Sequence, residues 1–438
     1  MSNELLGIVM LGALLVFIFI GFPISFTLII MAIVFGYIGL GNMVFNLMVF
    51  QTYGLMQEEI LAAVPLFIFM GYIIEEAALM ERLFNAFRHL LAPLKGSLYI
   101  GVILTATIFA MATGIVGAAV TVLGIMAAPI MMKSKYDVRL TSGAITAGGT
   151  LGILIPPSVM LIVMGPVLGV SVVRLYAAAF GPGFLLSALY IGYLLIRSYL
   201  NPRLGPPVPL EERITSKREL MKEFLIGMVP LGTLITATLG SILAGIATPT
   251  EAASVGCLGA MVLSLFYREL SLAKLKKSAI RTLQTTSMIL FLALASNIFG
   301  SIFARLGSAK MMTNALIGLP FPPFVMLLLI MAVIFLLGWP FEWPAIILLY
   351  LPILLPVVHA LKFDLVWFGA LTAVNLQTAY LSPPVAMSAY YLKAVAPQWE
   401  LSTIYKGMAE FMVIQLIALI LLLLFPQIAL WLPKVLLG

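Results

Sequence analysis

The chain has 438 residues, 63% of them hydrophobic and only 9% charged, with 24 Lys and Arg against 17 Asp and Glu. A soluble domain carries about 25% charged residues, so a water-soluble core is excluded. What remains is an all-α polytopic membrane protein, in which each span needs about 20 apolar residues. The net charge of +7 sits in loops between spans, so no nucleic-acid partner is expected.

In chain order, residues 5–21 and 23–40 are two apolar runs split at Gly21-Phe-Pro23. Residues 42–60 hold Gln51, Glu58 and Glu59 and read as an amphipathic arm at the interface. A third span over about 61–80 leads into Arg82, Arg88 and Lys95. The apolar stretch 97–132 has Thr113-Gly114 and Gly117 near its middle. Lys95 flanks one end, and Lys133, Lys135 and Arg139 flank the other. Basic flanks orient spans, so both ends lie on one side. The stretch is therefore a re-entrant hairpin, whose tip backbone must be covered by protein or line a cavity. A broken span at 140–170 and a span at 172–196 follow. The polar linker 197–223, with Arg197, Arg203, Arg213, Lys217, Arg218, Lys222 and the run Leu204-Gly-Pro-Pro-Val-Pro209, divides the halves.

The second half reads as spans at 224–244 and 249–267. An amphipathic basic helix with Arg268, Lys274, Lys276, Lys277 and Arg281 comes next, then a span at 284–304. A second hairpin at 321–358, a broken span at 364–392 and a last span at 401–425 complete the chain. The start, Met1 to Glu4, lacks a basic region, so no cleaved signal peptide is expected. The lone Cys257 can form no internal disulfide and reads as a small buried hydrophobe.

The halves repeat each other. Leu151-Gly-Ile-Leu-Ile-Pro-Pro-Ser158 returns as Thr378-Ala-Tyr-Leu-Ser-Pro-Pro-Val385, an offset of 383 − 156 = 227. The same offset lays Lys135-Tyr-Asp-Val138 on Lys362-Phe-Asp-Leu365 and Pro129 on Pro356. Residues 1–196 and 224–438 are therefore two repeats, each of five spans and one hairpin. An odd number of spans makes their topologies inverted. With the first residues outside, 19 of the 24 Lys and Arg are cytoplasmic, leaving Arg174, Arg305, Lys310, Lys362 and Lys434 outside. Both termini then face outward. Paired broken segments in corresponding positions point to a transporter's binding site.

Proline has no N–H, so Pro156 and Pro157 free the carbonyls of Gly152 and Ile153, and Pro383 and Pro384 free those of Ala379 and Tyr380. A hard cation such as sodium takes carbonyl oxygens. The half-helix after each break offers its positive end to an anion. The alternative is a pair of structural kinks filled by neighbouring helices. In Gly245-Ile-Ala-Thr-Pro-Thr-Glu-Ala252, Thr248, Pro249 and Glu251 form a capping box with proline at its first position. Gly21-Phe-Pro-Ile-Ser25 is the shorter counterpart. Asp137 and Asp364 read as helix caps. Glu342, near the second hairpin tip, is an intramembrane carboxylate and so a candidate for cation, proton or substrate contact, with solvation at the tip as the alternative. His89 and His359 have no Cys or His at ligand spacing, so no site for a bound transition metal is expected. No catalytic nucleophile motif or nucleotide fingerprint is present, so an enzyme is not expected.

The tip Thr113-Gly-Ile-Val-Gly-Ala118, Gly149-Thr-Leu-Gly152 before Ile155-Pro-Pro-Ser158, Gly245 to Ala252, and Asn375-Leu-Gln-Thr378 before Ser382-Pro-Pro384 together carry a resemblance. The chain resembles, over nearly its whole length, the large membrane subunit of tripartite ATP-independent periplasmic (TRAP) transporters in the ion transporter superfamily. That resemblance implies an elevator-type secondary transporter driven by sodium. A transport domain of 97–170 and 321–392 would move against a scaffold made of the rest. It implies a small four-helix membrane subunit and a periplasmic solute-binding protein as partners, and a bacterial inner-membrane location. It also implies at least two sodium sites. One carries over to Thr113, Val116, Gly152, Ile155 and Pro157, the other to Gly338, Thr378, Ala379, Ser382 and Pro384. Ala379 stands where the family usually has glycine, which puts the tight approach of the second hairpin in question. Gly114, Ser158, Glu342 and Asn375 are candidate substrate contacts.

The expected function is sodium-coupled import of a small organic acid anion, such as a C4-dicarboxylate or a 2-oxo or hydroxy acid. The substrate, the partners and membrane lipid are the expected contacts. Two alternatives stay open: a stand-alone cation-coupled carrier or exchanger, and a channel or non-transporting scaffold.

Overall fold

The computed structural model describes residues 2–438 except 210, 212 and 215, so Met1 of the N-terminal reading and three residues of the expected linker lie outside the described residues. Among those described there is no strand. The helices are α1 (Asn3–Ile20), α2 (Ile24–Leu40), α3 (Met43–Met56), α4 (Ala63–Glu76), α5 (Leu79–Leu90), α6 (Ser97–Thr113) and α7 (Val116–Lys133). The first broken span and its neighbour follow as α8 (Val138–Thr150), α9 (Val159–Leu168) and α10 (Val172–Leu200). Next are α11 (Lys217–Leu243), α12 (Pro249–Phe266), α13 (Leu272–Arg305), α14 (Ser308–Ile317) and α15 (Pro323–Leu337). A short α16 (Trp343–Ala345), a π turn at Ile346–Tyr350 and α17 (Leu351–Ala360) form one arm; α18 (Leu365–Leu381), α19 (Met387–Val395), α20 (Leu401–Leu424) and α21 (Gln427–Leu437) complete the chain. Eight of the described helices, or nine with one bent pair, are long and apolar enough to cross a membrane.

The 227-residue offset holds at the level of elements. It carries α7 (116–133) onto 343–360, the bounds of the second hairpin's returning arm, and carries the start of α8 (138) onto that of α18 (365). Lys135 and Lys362 both take a left-handed backbone at φ 57°. Asp137 and Asp364 both cap a helix, accepting the N–H of Leu140 and of Trp367 at 2.9 Å. Thr248 and Glu251 form the expected capping box at the start of α12.

Three expectations change. The arm at 42–60 is not amphipathic: the outer face of α3 is Phe45, Val49, Phe50 and Tyr53, all exposed apolar residues suited to lipid. It joins α4 at a bend of 61° through a short 3-10 turn, and Pro65 sits in the first turn of α4, where proline is tolerated. The expected basic helix and span at 284–304 are instead one unbroken rod, α13, within which no proline falls. Glu75 and Glu76 of α4 pair with Arg281 and Lys277 of this rod, and the Arg281 guanidinium lies 4.1 Å over the Tyr72 ring. Finally, the chain does not end with the span at 401–425: α21 turns back and packs along α10.

The helices fall into two packing groups. α1 to α5 pack with α11 to α14, while α8 and α18 are each enclosed by the remaining helices. Every residue from Leu140 to Thr150 in α8 is buried, as a helix surrounded by protein requires. The expected scaffold contains 172–196 and 401–425, yet α10 and α20 pack on the broken spans. Phe411 of α20 lies edge-on to Tyr190 and Tyr193 of α10, at 5.3 and 5.6 Å. Glu410 binds Arg139 of α8 together with Tyr193 and Arg197 of α10.

Candidate transport site

The first break lies between α8 and α9. A 3-10 turn at Leu151–Ile153 ends α8, and the Pro156-Pro157 peptide bond is cis. The Gly152 carbonyl faces a residue without an N–H. The Ile153 carbonyl, expected to be free, instead accepts the Ser158 hydroxyl. The tip of the first hairpin fills this break. Gly114 there takes φ 63°, a conformation costly for any side chain, and its α-carbon lies against the Pro157 carbonyl and the Val159 N–H. Gly152 faces the Ile115 backbone. Thr113 is buried, its hydroxyl donates to the Phe109 carbonyl at 3.2 Å, and its main chain rests on Gly71 of α4. Val116 opens α7 and is buried, and Ile155 packs onto Gly183 of α10.

The second break lies between α18 and α19, again with a cis bond, Pro383-Pro384. The chain leaves α18 at Ser382 in an extended conformation and enters α19 through Ala386, held left-handed at φ 40°. The Ala379 and Tyr380 carbonyls, facing prolines four residues on, have no helical donor. The Thr378 carbonyl accepts the Ser382 N–H at 2.8 Å, and its hydroxyl donates to the Asn375 carbonyl at 2.6 Å. The Ser382 hydroxyl is 2% exposed and has no partner. Here the second hairpin closes on the break. A Cβ at Gly338 would lie 2.7 Å from that of Ala379, so the missing side chain at 338 makes room for the methyl group of Ala379.

A cavity of about 920 Å³ opens beside this second break. Gly338, Glu342, Ala379 and Pro384 lie in its wall, while the α1–α2 turn and the middle of α13 form the opposite side. Glu342 is exposed to it. Gly114, Ser158 and Asn375 do not line it. The first two are sealed in the first break, and Asn375 turns to α15, donating to the Met331 carbonyl at 2.7 Å. Ser25, Phe26 and Phe291 do line it. The turn Gly21-Phe-Pro-Ile-Ser25 is the sequence signal for the first two, and nothing in the sequence marks Phe291. Among the described residues no group of three His, Cys, Asp or Glu could hold a metal.

The model of the DctM component of tripartite ATP-independent periplasmic transporters matches residues 11–428. The chain belongs to this family. It is 31% identical over 425 residues to the sialic acid TRAP transporter large permease SiaM of Vibrio cholerae, covering 96% of each chain. It is 28% identical over 377 residues to the C4-dicarboxylate large permease DctM of Pseudomonas aeruginosa, covering 85% of this chain and 86% of the other. The sialic acid permease SiaT of Haemophilus influenzae is 28% identical over 425 residues, which cover 96% of this chain and 67% of SiaT. The fold is shared with the YdaH transporter of Alcanivorax borkumensis, with TM-score 0.63, 15% identity and coverage of 88% and 89%. It is shared too with MtrF of Neisseria gonorrhoeae, with TM-score 0.61, 13% identity and coverage of 88% and 84%. This large permease is a multi-pass membrane transporter subunit, and its family implies a small membrane subunit and a periplasmic binding protein beside it.

Proposed function

We propose that this large permease imports a small organic acid anion together with sodium, by an elevator movement of the broken spans and hairpins. The observation that carries the reading is the second break. Two carbonyls without helical donors, at Ala379 and Tyr380, and the buried, unpartnered Ser382 hydroxyl stand together where the hairpin tip meets the cavity. Neutral oxygens of this kind suit sodium, and the cation supplies the positive charge that the cavity wall lacks. The first break, with the Gly152 carbonyl beside the Thr113–Ile115 tip, is the second candidate sodium site.

In this reading the two repeats have inverted topology, and both termini face the periplasm. The moving unit comprises α6 to α10 and α15 to α21, sliding against α1 to α5 and α11 to α14. A four-helix membrane subunit holds the second group, and a periplasmic binding protein delivers the acid. Two sodium ions with one monovalent acid carry one net positive charge inward, worth about 2.3 kcal/mol per ~100 mV. Proteoliposomes holding the permease and its partners should lose uptake when choline replaces sodium. Undiminished uptake without sodium rejects the coupling.

A further inference from the structure

With organic-acid transport as its premise, the cavity beside the second break limits both the charge and the shape of its guest. Phe19, Phe26, Phe291, Trp339, Phe341 and Trp343 stand in its wall. Phe26 and Phe291 meet edge to face at 5.2 Å, so the side formed by α2 and α13 is an aromatic panel. At about 920 Å³ the space reaches the upper end of small-molecule sites, enough for a ring or a branched chain. Among the described residues no Lys or Arg lines it, and Glu342 is the sole carboxyl group in its wall. Glu342 joins no ion pair among the described residues. The Trp339 indole N–H is buried and has no acceptor. An apolar wall and one carboxyl group are on hand.

We propose that the acid carried is a monoanion with a bulky apolar or aromatic body, and that Glu342 selects for its single charge. The single carboxylate of the guest faces the sodium held at the break. Its body lies on the aromatic panel. A second carboxylate would stand near Glu342 with no Lys or Arg in the described wall to separate them, and like charges repel. A polyhydroxylated acid would leave its hydroxyls against apolar rings, where each loses its hydrogen bonds to water.

The test is calorimetric titration of the full chain in lipid nanodiscs, in sodium and again in choline. The probes are 3-phenylpropanoate, succinate and gluconate. In sodium, 3-phenylpropanoate should bind at least ~10-fold tighter than either other acid. Glu342→Gln should shift the ratio of succinate to 3-phenylpropanoate affinity by ~10-fold in favour of succinate. Phe291→Ala should weaken 3-phenylpropanoate selectively. Succinate or gluconate binding as tightly as 3-phenylpropanoate overturns the substrate class, and an unchanged ratio in Glu342→Gln overturns the selector. Equal binding of 3-phenylpropanoate in choline supports the class while rejecting the sodium reading. Binding of none of the three acids in sodium overturns the site and the class together.

Discussion

At the scale of single residues, the two breaks are chemically unequal. In the first, Ser158 gives its hydroxyl to the carbonyl that proline would leave open. In the second, the matching carbonyl keeps no such partner, and Ser382 has its hydroxyl to spare. Ser382→Ala would therefore remove the proposed cation ligand without removing a protein hydrogen bond. A contact from a neutral oxygen to a charged group is worth about 1.5–3 kcal/mol. The sodium concentration for half-maximal uptake should thus rise by at least ~10-fold, with the unfolding midpoint unchanged. The pair Gly338 and Ala379 makes a second prediction. Gly338→Ala forces two methyl groups into one place and should cost about 1–3 kcal/mol in a denaturant titration. Adding Ala379→Gly should restore most of that loss, since the partners touch and their effects do not add. Equal costs in the single and double variants would show that the contact is not what limits the approach.

At the scale of elements, proline chemistry made the breaks legible, because a missing N–H acts within four residues and needs no tertiary context. The capping box at Thr248 and the caps at Asp137 and Asp364 were legible for the same reason. Ser158 was not, because its bond to Ile153 depends on how the turn closes. Nor was the clamp around Glu410, whose partner Arg139 lies in another repeat. The company of α10 and α20 was hidden with it, for their apolar runs look alike whether they face lipid, scaffold or broken span. Glu410→Gln leaves Arg139 and Arg197 without their counter-charge. Both arginines are part-exposed, at 47% and 38%, so solvent screens much of the loss. The expected cost is about 1–2 kcal/mol, read from detergent-induced unfolding, together with looser packing of α20 on α8. No change in stability would mean that aromatic packing alone joins these helices.

At the scale of the whole molecule, the placement of Lys and Arg makes an orientation claim that one reagent can test. Cys257 is buried and single, so its replacement by serine gives a background free of thiols. Lys310→Cys, on α14, should react with an impermeant maleimide added outside the cell. Lys217→Cys, at the start of α11, should react only after the membrane is opened. The reverse pattern would invert the whole arrangement, including the side from which the cavity loads. The 227-residue offset was legible in the sequence because its anchors share one register. The break between α3 and α4 falls close to the boundary read between 42–60 and 61–80, whereas the matching stretch of the other half stays straight.

That straightness has a consequence for depth. A helix of 34 residues is about 51 Å long at about 1.5 Å per residue, while the oily interior of a bilayer is about 30 Å thick. The surplus cannot hide, and Lys274, Lys276, Lys277 and Arg281 crowd the end that protrudes. In the proposed orientation this end meets the cytoplasmic leaflet, where Lys276 faces the anionic headgroups while Lys274, Lys277 and Arg281 pair with Glu269, Glu76 and Glu75. The two ion pairs to Glu75 and Glu76 extend that level to α4. Any vertical travel of the breaks is then measured against a mooring post that keeps its height.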